Sequence, residues 1–175
     1  MENAKRAVFF DRDGVLNEDT GYVHRWEELQ WVPGARELVG CLTREGWLLF
    51  VVTNQSGVAR GYYSEQDVRQ LHKAMNQEFA RYGGRITEFS YCPHLPGAPV
   101  KAYDVNCSCR KPKPGMILQL LEKYSINKQK ALLIGDSPRD VEAAERAGIR
   151  GYLFTGGNLE SFWDTLCKRL DDFYE

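Results

Sequence analysis

Short apolar runs alternate with amphipathic stretches along the whole chain. Ala7-Val8-Phe9-Phe10 is an unbroken apolar run that stops at Asp11 and predicts a buried strand. Pro33 to Glu45 predicts a helix, with Pro near its first turn and Gly46 as its stop. Trp47 to Val52 predicts a second buried strand, ending at Thr53-Asn54-Gln55-Ser56-Gly57. Ser64-Glu65-Gln66-Asp67 has the form of a capping box, and Val68, Leu71, Met75 and Phe79 follow at helical spacing as far as Gly83-Gly84. Ile86 to Tyr91 is a third strand, Pro114 to Tyr124 a helix and Ala131 to Ile134 a fourth strand. Asp140 to Ala147 is a helix closed by Gly148, Gly151 to Phe154 a fifth strand, and Leu159 to Phe173 a terminal helix. Strands and helices taking turns predict an α/β fold, a Rossmann-like doubly wound and mostly parallel sheet. No repeat or linker interrupts the pattern, so residues 1–175 are expected to form one domain.

Composition agrees with that expectation. The 175 residues are 43% hydrophobic, 27% charged and 12% aromatic, enough for one globular core. Twenty-three Lys and Arg against 24 Asp and Glu leave a net charge of −1, too weak a field to gather nucleic acid or an anionic membrane. The longest apolar run, Trp47 to Val52, is far shorter than the roughly 20 residues that span a bilayer. The N-terminal apolar run leads straight into Asp11-Arg12-Asp13 without a cleavage site, so a cytoplasmic location is expected.

Of the five cysteines, Cys92, Cys107 and Cys109 fall within one segment beside His94, in the spacing C-x-H-x12-C-x-C. Three thiolates and one imidazole make the donor set of a closed structural zinc site, and the odd cysteine count argues against disulfides. Cys41 and Cys167 lie in helix-like stretches and are expected in the core; His24 and His72 have no ligand spacing and are expected to be ordinary surface or loop residues.

Strands one, two and four end at Asp11, Thr53 and Asp136, and in an open parallel sheet such ends share one edge, where ligands bind. Asp11 and Asp13 put two carboxylates two positions apart there, which is costly unless a cation lies between them or one is protonated. Asp136, with Asp140 one helical turn later, adds acid to the same edge; such oxygen-rich clusters suit Mg²⁺ and substrate phosphate. Arg110-Lys111-Pro112-Lys113-Pro114-Gly115 is basic and opens a helix whose N-terminus favours anions.

Together these segments resemble the haloacid dehalogenase superfamily of phosphohydrolases, through DRDGVLN at residues 11–17, Thr53, Lys111 in RKPKPG, and GDSPRD at residues 135–140. The match is closer to the branch of the heptose 1,7-bisphosphate 7-phosphatases and the histidinol-phosphate phosphatases, through TNQSGVARG at residues 53–61 and CPH…CSCRKP at residues 92–112. NEDTGYVH at residues 17–24 is similar to the heptose enzymes, whereas nothing after Gly157 matches a motif. The resemblance implies that Asp11 is the nucleophile, forming an aspartyl-phosphate, and that Asp13 is the general acid and base. It implies Mg²⁺ on Asp11, the Asp13 backbone carbonyl and Asp136, and phosphoryl binding by Thr53, Lys111 and Arg110, with Asp140 orienting the metal site or Lys111. Cys92, His94, Cys107 and Cys109 would hold a structural Zn²⁺ that pins the loop 92–109 at the active-site edge. With both inter-motif intervals filled, the core is expected to be capless, recognising its substrate through Asp19, Thr20, Gly21 and Tyr22, through Asn54, Gln55 and Ser56, and through the zinc segment. A monomer is expected that removes the 7-phosphate from a phosphorylated heptose on the route to lipopolysaccharide. Histidinol phosphate, a DNA 3′-phosphate, which the −1 charge disfavours, and a non-catalytic zinc-organised binding domain are the alternatives.

Overall fold

The structure, a computed structural model, describes residues 5–170. Among these, β1 (Ala7–Phe10), α1 (Ala35–Arg44), β2 (Leu48–Asn54), α2 (Glu65–Arg81), β3 (Glu88–Cys92), α3 (Gly115–Lys123), β4 (Ala131–Gly135), α4 (Pro138–Ala147), β5 (Arg150–Leu153) and α5 (Leu159–Cys167) follow one another. The expectation of a mostly parallel sheet sharpens to a wholly parallel one, in the order β3-β2-β1-β4-β5. Its central strand β1 pairs with β2 on one side and β4 on the other, and all four of its residues are fully buried. A strand covered on both edges and both faces has no polar position to offer, which is why it reads as AVFF without alternation.

Successive side chains on a strand point to opposite faces, and the core divides accordingly. Val8, Phe10, Leu49, Val51, Leu132 and Ile134 pack with Leu38 and Leu42 of α1, Met75 and Phe79 of α2, and Trp163 of α5. Ala7, Phe9, Phe50, Val52, Ala131 and Leu133 pack with Ile117 and Leu120 of α3 and Ala143 and Ala144 of α4. The chain winds outward from β1 through β2 to β3, then returns to place β4 on the other side of β1. The crevice of a doubly wound sheet lies at that reversal, beyond the C-terminal ends of β1 and β4, where Asp11 and Asp136 stand.

Several boundaries move from their predicted positions. β2 runs on to Asn54 and β3 to Cys92, because Thr53 and Asn54 stay in register with Tyr91 and Cys92. α4 starts at Pro138, with Ser137 as N-cap and Asp140 completing the capping box, so Asp140 sits inside the first turn instead of opening the helix. β5 begins one residue early, at Arg150. α5 stops at Cys167, after Leu159, Trp163 and Leu166 have spent its apolar face; the remainder of the predicted helix from 171 lies outside the described residues. The loop between β1 and α1 folds back on itself, Glu18 N–H donating to the Gln30 carbonyl at 2.7 Å and Val32 N–H to that of Leu16 at 3.0 Å. The Thr53-to-Asp136 interval holds α2, β3, the cysteine segment and α3, leaving no inserted cap among the described residues. No helix among them is long and apolar enough to cross a membrane.

α1 and the end of α2 meet at Gly40, where an added Cβ would overlap the Tyr82 carbonyl oxygen. Helix propensity alone assigns Gly40→Ala a gain of about 1 kcal/mol. The close approach predicts the opposite sign, a loss of about 1–3 kcal/mol from overpacking. Urea unfolding midpoints read the sign directly, and a raised midpoint would refute the close approach.

Candidate active site

Lys111 organises the floor of the crevice. Its ammonium is buried and lies 2.9 Å from Asp11 Oδ1, 2.7 Å from Asp140 Oδ1 and 2.8 Å from the Val52 carbonyl oxygen, joining β1, α4 and β2. The backbone of Lys111 is fixed as well. Asn54 accepts from its N–H at 3.0 Å and donates Nδ2–H to its carbonyl at 3.1 Å. Burial works against the ammonium, but Asp11 and Asp140 outweigh it and hold its pKa above the ordinary lysine value. Asp140 is fully committed here: its Oδ2 accepts from the amides of Asp136 and Ser137 at 3.2 and 3.1 Å.

Asp13 has a separate set of partners. Arg12, fully buried, donates Nε–H and Nη2–H to Asp13 Oδ1 at 3.2 and 3.0 Å. Asn17 Nδ2 donates to the same oxygen at 3.0 Å, and Gln55 Nε2 donates to Oδ2 at 3.0 Å. Gln55 also donates to Thr53 Oγ1 at 2.9 Å and accepts from the Tyr63 hydroxyl at 2.6 Å; burial pushes that phenol up to about 12. The amides of Val15, Leu16 and Asn17 converge on the Arg12 carbonyl, and among the described residues none donates to that of Asp13.

Among the described residues, the four carboxylates Asp11, Asp13, Asp136 and Asp140 thus have only Lys111 and Arg12 as ion-pair partners. Burial drives the Asp11 carboxyl up, with Lys111 opposing and Asp140 reinforcing; burial also drives Asp136 up. Oxygens of Asp11, Asp136 and Asp140 lie within 4.8 Å of one another. Asp140 is taken by Lys111 and two amides, whereas Asp11 and Asp136 are hydrogen-bonded to each other and both pushed toward the neutral form, a crowding of two carboxyls that a hard divalent cation would relieve. Gly14, at φ +89°, permits that crowding, since a Cβ there would overlap the Asp136 carboxylate.

These groups open into a cavity of about 390 Å³ lined, where the strands end, by Asp11, Asp13, Asp136, Thr53, Lys111 and Arg110. Of the residues expected to recognise the substrate, Asp19, Gly21, Tyr22, Asn54 and Ser56 line it, whereas Thr20 does not. Gln55 contributes to the wall but is 2% exposed and bonded inward to Asp13, Thr53 and Tyr63. Arg60, Tyr63, Ser137 and Arg139 also line the cavity, although no motif in the sequence singles them out. Arg60 follows the strand-end loop and Arg139 sits in the first turn of α4, so their proximity to that loop and to Asp140 was the available signal. His72, expected at the surface, is instead buried against Phe89 with ring centroids 4.5 Å apart.

Cys92, at the end of β3, meets the cysteine loop beside this cavity. Its Sγ lies 2.9 Å from Cys109 Sγ, 3.5 Å from Cys107 Sγ and 3.7 Å from His94 Nδ1, and Cys109 Sγ is 3.4 Å from His94 Nδ1. A tetrahedron with arms near 2.3 Å has edges of about 3.8 Å, so the quartet is gathered to about the dimensions zinc requires. None of the five cysteines is in a disulfide. The loop is also tied down by Glu65, which accepts from the hydroxyls of Tyr91 and Tyr103, each at 2.8 Å, and by Arg110, which donates to the His94 carbonyl at 3.3 Å. The remaining thiols part company. Cys167 packs at the edge of the core, whereas Cys41 lies outside it beside Glu45, and burial, reinforced by the Glu45 charge, raises its pKa.

The HAD-hydrolase-like family matches residues 108–165. The chain is 46% identical to a D-glycero-beta-D-manno-heptose-1,7-bisphosphate 7-phosphatase of Rhodopseudomonas palustris, over 89% of this chain and 87% of the relative. It is 38% identical to a D-glycero-alpha-D-manno-heptose-1,7-bisphosphate 7-phosphatase of Photorhabdus laumondii, over 92% and 88%. Its structure is similar to that of a D,D-heptose 1,7-bisphosphate phosphatase from B. bronchiseptica complexed with magnesium and phosphate, with a TM-score of 0.79, 33% identity, and coverage of 91% of this chain and 86% of that one. A core built around paired aspartates and a buried lysine, on a sheet shared with these proteins, places this chain in the HAD-like phosphatases, and it belongs to their D-glycero-D-manno-heptose 1,7-bisphosphate 7-phosphatase family.

Proposed function

We propose that this phosphatase removes the 7-phosphate of D-glycero-D-manno-heptose 1,7-bisphosphate through an aspartyl-phosphate, in the cytoplasm, as a monomer, and on the route to nucleotide-activated heptose for lipopolysaccharide. The observation that carries the reading is the separation of two neighbouring aspartates into different environments, Asp11 against Lys111 and Asp13 against Arg12 and Gln55. That division supplies a nucleophile and a proton carrier from one short loop.

Lys111 Nζ and the Arg12 amide both donate to Asp11 Oδ1 and so fix the carboxyl in the crevice. As an oxygen of the Asp11 carboxylate bonds to phosphorus, the bond from phosphorus to the sugar oxygen breaks, and that oxygen keeps the electron pair and takes the proton of Asp13. In the second half Asp13 takes a proton from water, whose oxygen attacks phosphorus and frees Asp11 and inorganic phosphate. Thr53, Lys111 and Arg110 hold the transferring phosphoryl oxygens. The Asp11 and Asp136 carboxylates and the Asp13 carbonyl would hold Mg²⁺, which supplies the positive charge that lets an anion approach an anion. Arg60 and Arg139, exposed in the cavity wall, provide charge for the second phosphate of a bisphosphate. The Cys92, His94, Cys107 and Cys109 quartet would hold Zn²⁺ and so fix Arg110 and Lys111, which follow its last ligand.

A phosphate-release assay with Mg²⁺ across both anomers of the heptose bisphosphate, histidinol phosphate and 3′-phosphorylated DNA tests the substrate. Either heptose anomer should give the highest kcat/KM, and equal or better turnover of histidinol phosphate would overturn the ranking. Asp11→Asn should lower kcat by at least ~10³-fold with an unchanged circular dichroism spectrum; near-wild-type turnover would remove the nucleophile. Purified protein should carry about one zinc per chain, and stripping it should lower the melting temperature and cut activity about tenfold or more by misplacing Arg110 and Lys111. A zinc-free protein with full activity and stability would end the structural role.

A further inference from the structure

Arg12 is among the largest fully buried side chains, and a guanidinium is never neutral at physiological pH, so each of its N–H groups needs an acceptor. Nε and Nη2 serve Asp13, and Nη2 also donates to the Val23 carbonyl at 2.6 Å. The far nitrogen, Nη1, lies 3.1 Å from His72 Nε2. Because guanidinium only donates, Nε2 must accept, which puts the ring proton on Nδ1 and leaves the imidazole neutral. Burial and the neighbouring guanidinium both favour that state, pushing the His72 pKa well below the ordinary histidine value. The ring itself is clamped: it belongs to α2 and stacks on Phe89 of β3 at an interplanar angle of 16°. Arg12 is therefore held at three points supplied by three parts of the fold, the Val23 loop, α2 and its own neighbour Asp13.

We propose that His72 is a positioning residue for the reaction, acting through Arg12 to hold the Asp13 carboxyl where it delivers its proton to the departing sugar oxygen. It does not line the active-site cavity. Its role is to give Nη1 its acceptor among the described residues, which keeps the guanidinium plane aligned with Asp13. Remove that acceptor and Nη1 is left unpaired in the interior, so the guanidinium tilts away and Asp13 loses its two-point grip. The inference rests on Asp13 acting as general acid in the reading above.

That dependence gives a test a merely structural role would not pass. A sugar oxygen leaves only with a proton, whereas p-nitrophenolate leaves without one. His72→Phe keeps the stacking on Phe89 and removes the acceptor; His72→Gln supplies an amide oxygen in its place; His72→Met repeats the deletion should the Phe variant not fold. The quantity to read is kcat/KM, which covers only the steps through loss of the leaving group. For the deletion variants, kcat/KM on the heptose bisphosphate should fall about tenfold or more, a fraction of what a general acid contributes, while p-nitrophenyl phosphate falls less than about threefold. His72→Gln should recover most of the loss. Equal falls on both substrates, or no fall on either, would overturn the proposal. Failure of the wild type on the heptose bisphosphate would instead strike the substrate reading, and the ratio would then be read on whichever alkyl phosphate the wild type does hydrolyse.

Discussion

The buried ammonium of Lys111 is the interaction on which the rest of the site depends. It lies between Asp11 and Asp140 and touches the Val52 carbonyl, so it bonds to three elements that are far apart in sequence. Taking one charge out of water costs several kcal/mol, and that cost is offset only while both carboxylates stay in place. The same pairing lets Asp11 and Asp140 be buried at all. Position and charge are thus coupled: the packing of β1, β2 and α4 sets the distances, and the charges hold the loop of residues 110–112 against them.

Two aspartates separated by one residue acquire different chemistry because that residue points inward. Arg12 enters the core between the loop and α2, and Asp13 turns to meet its guanidinium, while Asp11 directly follows β1 and faces Lys111. Gln55 links the two ends of the crevice by bonding at once to Asp13, Thr53 and Tyr63. A side chain used in this way is part of the wall and not free to follow a substrate. The exposed arginines of the cavity, Arg60 and Arg139, have that freedom.

The cysteine quartet does for an irregular loop what the sheet does for the strands. Residues 93–109 contain only one short helical turn and contribute few side chains to the core, so their position rests on Cys92 at the end of β3, on the Tyr91 and Tyr103 hydroxyls at Glu65, and on the gathered thiols. Its last cysteine precedes Arg110 directly. Order in this loop is therefore order in Arg110 and Lys111, the residues proposed to hold phosphate.

The sequence by itself determined the alternation of strands and helices, the two kinds of carboxylate-rich strand end and the cysteine and histidine spacing. Each of these is local: a run of AVFF between polar residues has no stable place except a covered strand, and C-x-H with C-x-C brings donors close within a few residues. What it did not determine were features that arise between elements. Asp140 read as the start of a helix and proved to be the capping and ion-pairing residue inside its first turn. Thr20 shares a loop with Asp19 and Tyr22, yet only the fold of that loop decided which of them face the cavity. His72 sits on the same helical face as Met75 and Phe79, and only the arrival of Arg12 from a loop sixty residues earlier made it a buried acceptor. Hydrophobic periodicity records whether a side chain is turned toward the interior, but a buried charge is stabilised by whichever group the packing brings opposite it, and that partner is set by tertiary structure alone.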